Sequence, residues 1–328
     1  MTFTNGLVPF LAKSCLLASA IIISDEAVWR SLGFQPSCRD SAGLWSELRR
    51  SIDGSATNIA LIGSSRFHLG VDPDVLHQAL PKYRLVQLSV DGSSPLPALE
   101  DLALDENFNG SVIVELPAFV AFQPYNPGHE LVDEFIAYRH EQGFGSIVEN
   151  RLLVALEEHL AMFSPDAIPW RVMDQIATEG KISKPAWNMN SRRAARRSFA
   201  GVNEQQAQEF WVKVFGDIKN REAPHETMTT TNLISFWAER IRRRGGRVIF
   251  FRMNITGRLW DLEQEVWPRE RYWDVLARTQ CSPALSFTDF PELVGFRCPD
   301  GSHIDARDVK RYSVAFANVL CRQGLLLR

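Results

Sequence analysis

The sequence predicts an α/β fold, a flavodoxin-like three-layer α/β/α sandwich with a parallel sheet and a helical insertion. Two observations carry the prediction. Between residues 58 and 117, apolar runs of strand length alternate three times with helical patterns, the mark of a doubly wound parallel sheet. The alternation then stops and resumes after about residue 227, as when a long segment is inserted into one core.

The elements follow in order. Residues 25–57 are a polar, partly helical lead-in, in which Asp40 or Ser41 can cap a helix and 52–55 form a turn. Residues 58–62 are apolar and end at Gly63, as a strand buried on both faces does. Asp72 and Pro73 are the cap and first position of a helix to about Leu80. A second strand is predicted over 84–90, a helix over 96–104 and a third strand over 111–116. From 118 to 226 helical patterns dominate, notably 149–163 and 204–214, and this is the predicted insertion. A helix over 230–244 then ends at Gly245-Gly246, followed by strands over 248–253 and 285–288 and a helix over 271–279. The last element is an amphipathic helix over 305–320. The core is therefore expected in 58–117 and 227–328.

Of the 328 residues, 45% are hydrophobic and 23% charged, which suits a folded chain with a large core. Thirty-six basic against 39 acidic residues give a net charge of −3, so no nucleic-acid partner is expected. Two arginine clusters stand out, 192–197 and 240–247. Each reads either as a solvated helix face or as a surface for phosphate, lipid headgroups or an acidic polymer. The five cysteines lack metal-ligand spacing, and Cys281–Cys298 is a candidate disulfide in an oxidising compartment. Residues 7–23 are apolar apart from Lys13 and a few small polar residues. Residues 1–24 thus read as a signal peptide or membrane anchor, placing the protein in the periplasm or cell envelope. The alternative is a buried helix of a cytoplasmic protein.

Two short segments carry chemistry. Gly63-Ser64-Ser65-Arg66 lies where the first strand ends, the edge at which open α/β sheets bind ligands. Asp300-Gly301-Ser302-His303 precedes the last helix. A serine becomes a nucleophile when a histidine takes its proton and a carboxylate orients the histidine. Each segment also reads as an ordinary turn and helix cap. His68 is an alternative base, and Asp305 an alternative partner for His303. Arg66 is either a substrate-binding cation or half of a structural ion pair. Trp260, Trp267 and Trp273 are either sugar platforms or core. The pattern offers no GxGxxG or GxxxxGK[ST] phosphate loop.

Taken together, the two segments resemble the SGNH/GDSL hydrolases, in which the nucleophile follows the first strand and Asp-x-x-His precedes the C-terminal helix. Gly63-Ser64-Ser65-Arg66 is similar to the variant found in membrane-associated members acting on acyl groups of the cell envelope or of exopolysaccharides. The resemblance covers about 58–117 and 227–325. It implies Ser65 as nucleophile, His303 as general base, Asp300 as its partner, and the N–H groups of Ser65 and Gly92 as the oxyanion hole. It further implies an esterase or O-acyltransferase needing no metal or cofactor, whose substrate is a small acyl ester or an acylated carbohydrate. Membrane or polysaccharide-assembly partners are expected. Where the family has an asparagine after the third strand, this chain has Glu115-Leu116-Pro117. Asn126 and Asn254 are the asparagines nearest that role, Asn254 as a substrate-binding candidate. A catalytically inactive scaffold or carbohydrate-binding component of an envelope assembly is the alternative.

Overall fold

A computed structural model describes residues 4–52, 54–121, 129–219 and 226–327. In chain order, α1 (Thr4–Ser31) and α2 (Ala42–Arg50) precede β1 (Asn58–Ile62), α3 (Ser65–Gly70), α4 (Pro73–Ala79) and β2 (Arg84–Gln87). Next come α5 (Leu96–Leu104), β3 (Ser111–Glu115), α6 (Ala118–Ala121), α7 (His129–Glu141), α8 (Phe144–His159) and α9 (Pro169–Glu179). After two short strands, β4 (Trp187–Met189) and β5 (Ala195–Arg197), run α10 (Glu204–Lys219), α11 (Glu226–Arg243) and β6 (Val248–Arg252). The chain continues through α12 (Arg258–Val266), α13 (Trp273–Thr279), β7 (Ala284–Ser286), α14 (Pro291–Val294) and α15 (Val309–Arg322).

The five long-range strands form one parallel sheet in the order β2-β1-β3-β6-β7. This is the flavodoxin-like order, with its switch point at β1 and β3. Side chains alternate across the sheet, as a period of two requires. Ala60, Ile62, Val112, Val114 and Phe250 pack with Trp45, Leu99, Phe135, Ile234 and Trp273 of α2, α5, α7, α11 and α13. Ile59, Leu61, Ile113, Ile249 and Phe251 pack on the other face with Phe67, Leu76, Leu293, Tyr312 and Phe316 of α3, α4, α14 and α15. Both faces are covered, which is why the strands read as continuous apolar runs.

The chain divides into two compact units, Met1–Arg39 with Arg151–Ser191, and Asp40–Asn150 with Arg192–Arg328. The predicted insertion over 118–226 is therefore not a single body. Its helix α7 belongs to the core, because Val132 and Phe135 enter the same cluster as Trp45. Its helix α10 does too, through Phe215 against Ile255 and Leu259. Two short strands also interrupt a region in which only helices were expected.

In the smaller unit, Trp29 and Phe34 pack with Ala161, Ala167 and Val172. Glu26 holds the turn at Ala161 by accepting the N–H groups of Ala161 and Met162. The stretch Val8–Ser31 is 24 residues long, has a mean hydropathy of 1.6 and is exposed over residues 8–24, with Trp29 buried near its end. At 1.5 Å per residue it reaches about 36 Å, enough to cross a bilayer core. By length and composition it is a candidate signal anchor or membrane span, not the buried helix of the alternative reading.

Several minor expectations are corrected. All five cysteines are free thiols, and Cys298 is buried while Cys281 is exposed, so the candidate disulfide is absent. For Trp267 and Trp273 the core reading holds. Trp260 lies edge-on to Phe287 with the Arg252 guanidinium over its ring. The second arginine cluster is largely committed to the fold. Arg240 and Arg244 donate to the α5 carbonyls of Leu102 and Ala103, and Arg242 and Arg243 pair with Glu239. In the first cluster Arg193 is not a solvated residue. It is fully buried with a φ of +57°, clasping Asp40 and donating to the carbonyls of Gln87 and Ser89.

Candidate active site

The site is built on the turn from β1 to α3. Gly63 is required there by space: a Cβ would sit 2.7 Å from Phe67 Cβ and 2.8 Å from Glu115 Cβ. Ser64 caps α3, with its Oγ accepting from the Arg66 N–H. The Ser64 N–H and Oγ–H both donate to Glu115 Oε2, at 2.8 and 2.9 Å. Glu115 is fully buried, and burial pushes its carboxyl above the ordinary range against the opposing pull of Arg66 and the Ser64 donors. Its Oε1 has no partner among the described residues. This buried carboxyl stands where the resemblance implies an asparagine, and it grips the turn. Ser65 is the one residue between 58 and 73 that is not buried, so the turn brings a single hydroxyl to the surface.

His303 comes from the loop before α15. Its Nε2 lies 2.8 Å from Ser65 Oγ, although 238 residues separate the two in sequence. Its Nδ1 lies 2.7 Å from Asp300 Oδ2. Burial opposes charge on Asp300, but the hydrogen bond and charge of His303, with the backbone N–H groups of Ser302 and His303, hold its carboxyl down at about 2. An ionised carboxylate can only accept, so the His303 Nδ1 carries a proton and Nε2 is the nitrogen that faces the Ser65 hydroxyl. The loop after β6 steadies this segment: Thr256 Oγ1 bonds Cys298 and the Thr256 N–H donates to Gly301 O.

The third component is the loop after β2. Leu88 N–H donates to Leu61 O and Val90 N–H to Gly63 O, which extends the parallel pairing and sets Asp91-Gly92 beside the Ser65 turn. Gly92 has a φ of +68° with open space where a Cβ would lie, so backbone conformation is what asks for glycine there. Among the described residues the N–H groups of Ser65 and Gly92 meet no acceptor. His68 steadies this loop from α3, with Nδ1 at 2.8 Å from Asp91 Oδ1.

Ser65, His303, Asp300 and Gly92 are thus brought to one rim of the sheet. Other sequence candidates are not. As substrate-binding residues, Asn254 and Arg66 are corrected. Asn254 is fully buried, donates to the carbonyls of Leu293 and Phe296 and accepts from Tyr312. Arg66 turns inward, donating to Ser302 Oγ, pairing with Glu263 and stacking on Phe119 and Phe215. Asp305 accepts from Phe199 and Arg307, not from His303. His68 is sealed from solvent and spends its one bond on Asp91. Asn126 lies outside the described residues.

Trp211, on α10, is a contributor that sequence reasoning missed. Its Nε1 donates to Asp300 Oδ2 at 3.1 Å, and its ring lies 5.6 Å from that of His303. No motif marks it, since only the folded chain brings α10 to the Asp300 loop.

No family model matches the chain, and no curated protein matches it.

Proposed function

We propose that this protein is a serine-dependent ester hydrolase or O-acyltransferase of the SGNH/GDSL type. The reading rests on one observation above all: Ser65 Oγ, the His303 ring and Asp300 form an unbroken hydrogen-bonded chain. Such a chain ends in nucleophilic attack on an acyl carbon. In the first half-reaction His303 Nε2 takes the Ser65 proton as Oγ bonds to the ester carbonyl carbon. Asp300 stabilises the imidazolium, and the N–H groups of Ser65 and Gly92 donate to the oxyanion. Collapse breaks the bond to the alcohol, which leaves with the proton from His303, and an acyl ester remains on Ser65. In the second half-reaction His303 deprotonates water or a sugar hydroxyl, which attacks that ester and regenerates the serine.

The proposed substrate is a small acyl ester or acylated carbohydrate of the envelope. Support for an envelope setting comes from the apolar span Val8–Ser31, read here as an anchor on a periplasmic protein. A non-catalytic scaffold of the same fold is the second reading, favoured by the carboxyl of Glu115 standing in place of an asparagine donor. Labelling with a fluorophosphonate probe separates the two. The wild-type protein is expected to take one label, on Ser65, and Ser65→Ala none. An unlabelled, folded wild-type protein would establish the scaffold.

A further inference from the structure

A Ser–His–Asp chain needs no indole, yet α10 supplies one. The helix is seated on the Asp300 loop by Gln208, whose Nε2 donates to Pro299 O at 3.2 Å. Phe215 fastens it to Ile255 and Leu259. Between these two fixings Trp211 donates to Asp300 Oδ2, the oxygen that also receives His303 Nδ1. Asp300 Oδ1 meanwhile accepts the N–H groups of Ser302 and His303. All of the roughly four acceptor positions of a carboxylate are thereby filled. The Trp211 ring also stacks on Phe215 and lies tilted at 56° to the imidazole.

We propose that Trp211 is a positioning residue, which holds the Asp300 carboxylate and the His303 ring in line with Ser65 and limits the negative charge Asp300 presents to His303. The inference rests on the functional reading above. A donor on Oδ2 stabilises the carboxylate and so makes it less able to stabilise an imidazolium. Removing that N–H leaves a more basic carboxylate, and His303 then gives up its proton at higher pH. The other groups around His303 are fixed: Asp300 on its own loop, Asp91 on the loop after β2, and Arg66 of α3, which reaches Ser302. From α10 the imidazole meets the indole.

The full-length protein would be compared with Trp211→Phe, which keeps a ring and loses the donor, and with Gln208→Ala, which loosens α10 without touching the triad. Two readouts are needed. One is the pH profile of p-nitrophenyl acetate hydrolysis and of fluorophosphonate labelling. The acidic limb is expected to move up by about half a pH unit in Trp211→Phe, with KM little changed. The other is the proton resonance of His303 Nδ1, observed in histidine-labelled protein, which does not depend on turnover and is expected to shift in both variants. A wild-type protein that neither hydrolyses nor labels would overturn the functional reading alone. A resonance and a pH limb unmoved in folded Trp211→Phe would overturn the role of Trp211. If Trp211→Phe fails to fold, Gln208→Ala decides: an unchanged Nδ1 resonance there counts against the proposal, and a shifted one supports it.

Discussion

Two histidines in this molecule are each bonded through Nδ1 to a carboxylate, and they differ in what the second nitrogen meets. His303 pairs with Asp300 at 2.7 Å and aims Nε2 at Ser65. His68 pairs with Asp91 at 2.8 Å, but its buried Nε2 has no partner among the described residues. Both carboxyls are held below their ordinary range: burial opposes the shift, and the neighbouring histidine offsets it together with backbone N–H groups at Asp300 and with His303 and Arg193 at Asp91. The two carboxyls are thus shifted in the same direction. A carboxylate orients an imidazole, but chemistry requires that the free nitrogen face a group with a proton to give. In the first pair the imidazole serves a hydroxyl. In the second it steadies the loop that carries Gly92.

The comparison breaks most sharply on the histidines themselves. His303→Ala is expected to slow labelling of Ser65 by about 10⁴-fold or more. His68→Gln is expected to slow it by about tenfold, through a displaced Gly92 loop. Equal losses, measured as labelling rates at saturating probe, would erase the distinction. Asp300→Asn is expected to cost on the order of 10³–10⁴ in the same assay, since the ring loses its tautomer.

Asp300 also carries a signature in stability. Its carboxyl lies at about 2 against an ordinary 3.8, a depressed value. The stabilisation is therefore complete above about pH 4 and lost as the pH falls through about 2. Urea unfolding should show wild type more stable than Asp300→Asn by on the order of 2 kcal/mol near neutral pH. That gap should close towards pH 2. A gap independent of pH would mean that the pair is not ionised as described.

A further prediction concerns the support under Ser65. Glu115→Ala would leave the buried Ser64 N–H without an acceptor and should cost about 1–3 kcal/mol. Glu115→Gln keeps an acceptor oxygen for both Ser64 donors and should stay near wild type in stability and labelling. Were the two variants equally damaging, the grip on Ser64 would not depend on an acceptor at that position.

Much of this arrangement was legible in the chain because it is local. The strands β1, β3 and β6 announce themselves as apolar runs because both faces of the sheet are covered. Gly63-Ser64-Ser65 and Asp300-x-x-His303 are short enough for spacing to show their geometry. The unread parts are tertiary. Val132 and Phe135 give no sign that they complete the core rather than an insertion. Trp211 reads as one more aromatic on an amphipathic helix. Arg193 reads as one of a basic run, although it is fully buried and clasps the end of β2. Glu115 reads as a missing asparagine, although it grips Ser64, the serine before Ser65. Each of these depends on which distant segment the fold brings alongside.

The 238 residues between hydroxyl and imidazole have a consequence in time as well as in space. At a synthesis rate of about 5–20 residues per second, Ser65 leaves the ribosome about 10–50 s before His303. Throughout that interval the Ser65 hydroxyl lacks its imidazole partner. The Ser65–His303 hydrogen bond can form only after every strand of the sheet has been made.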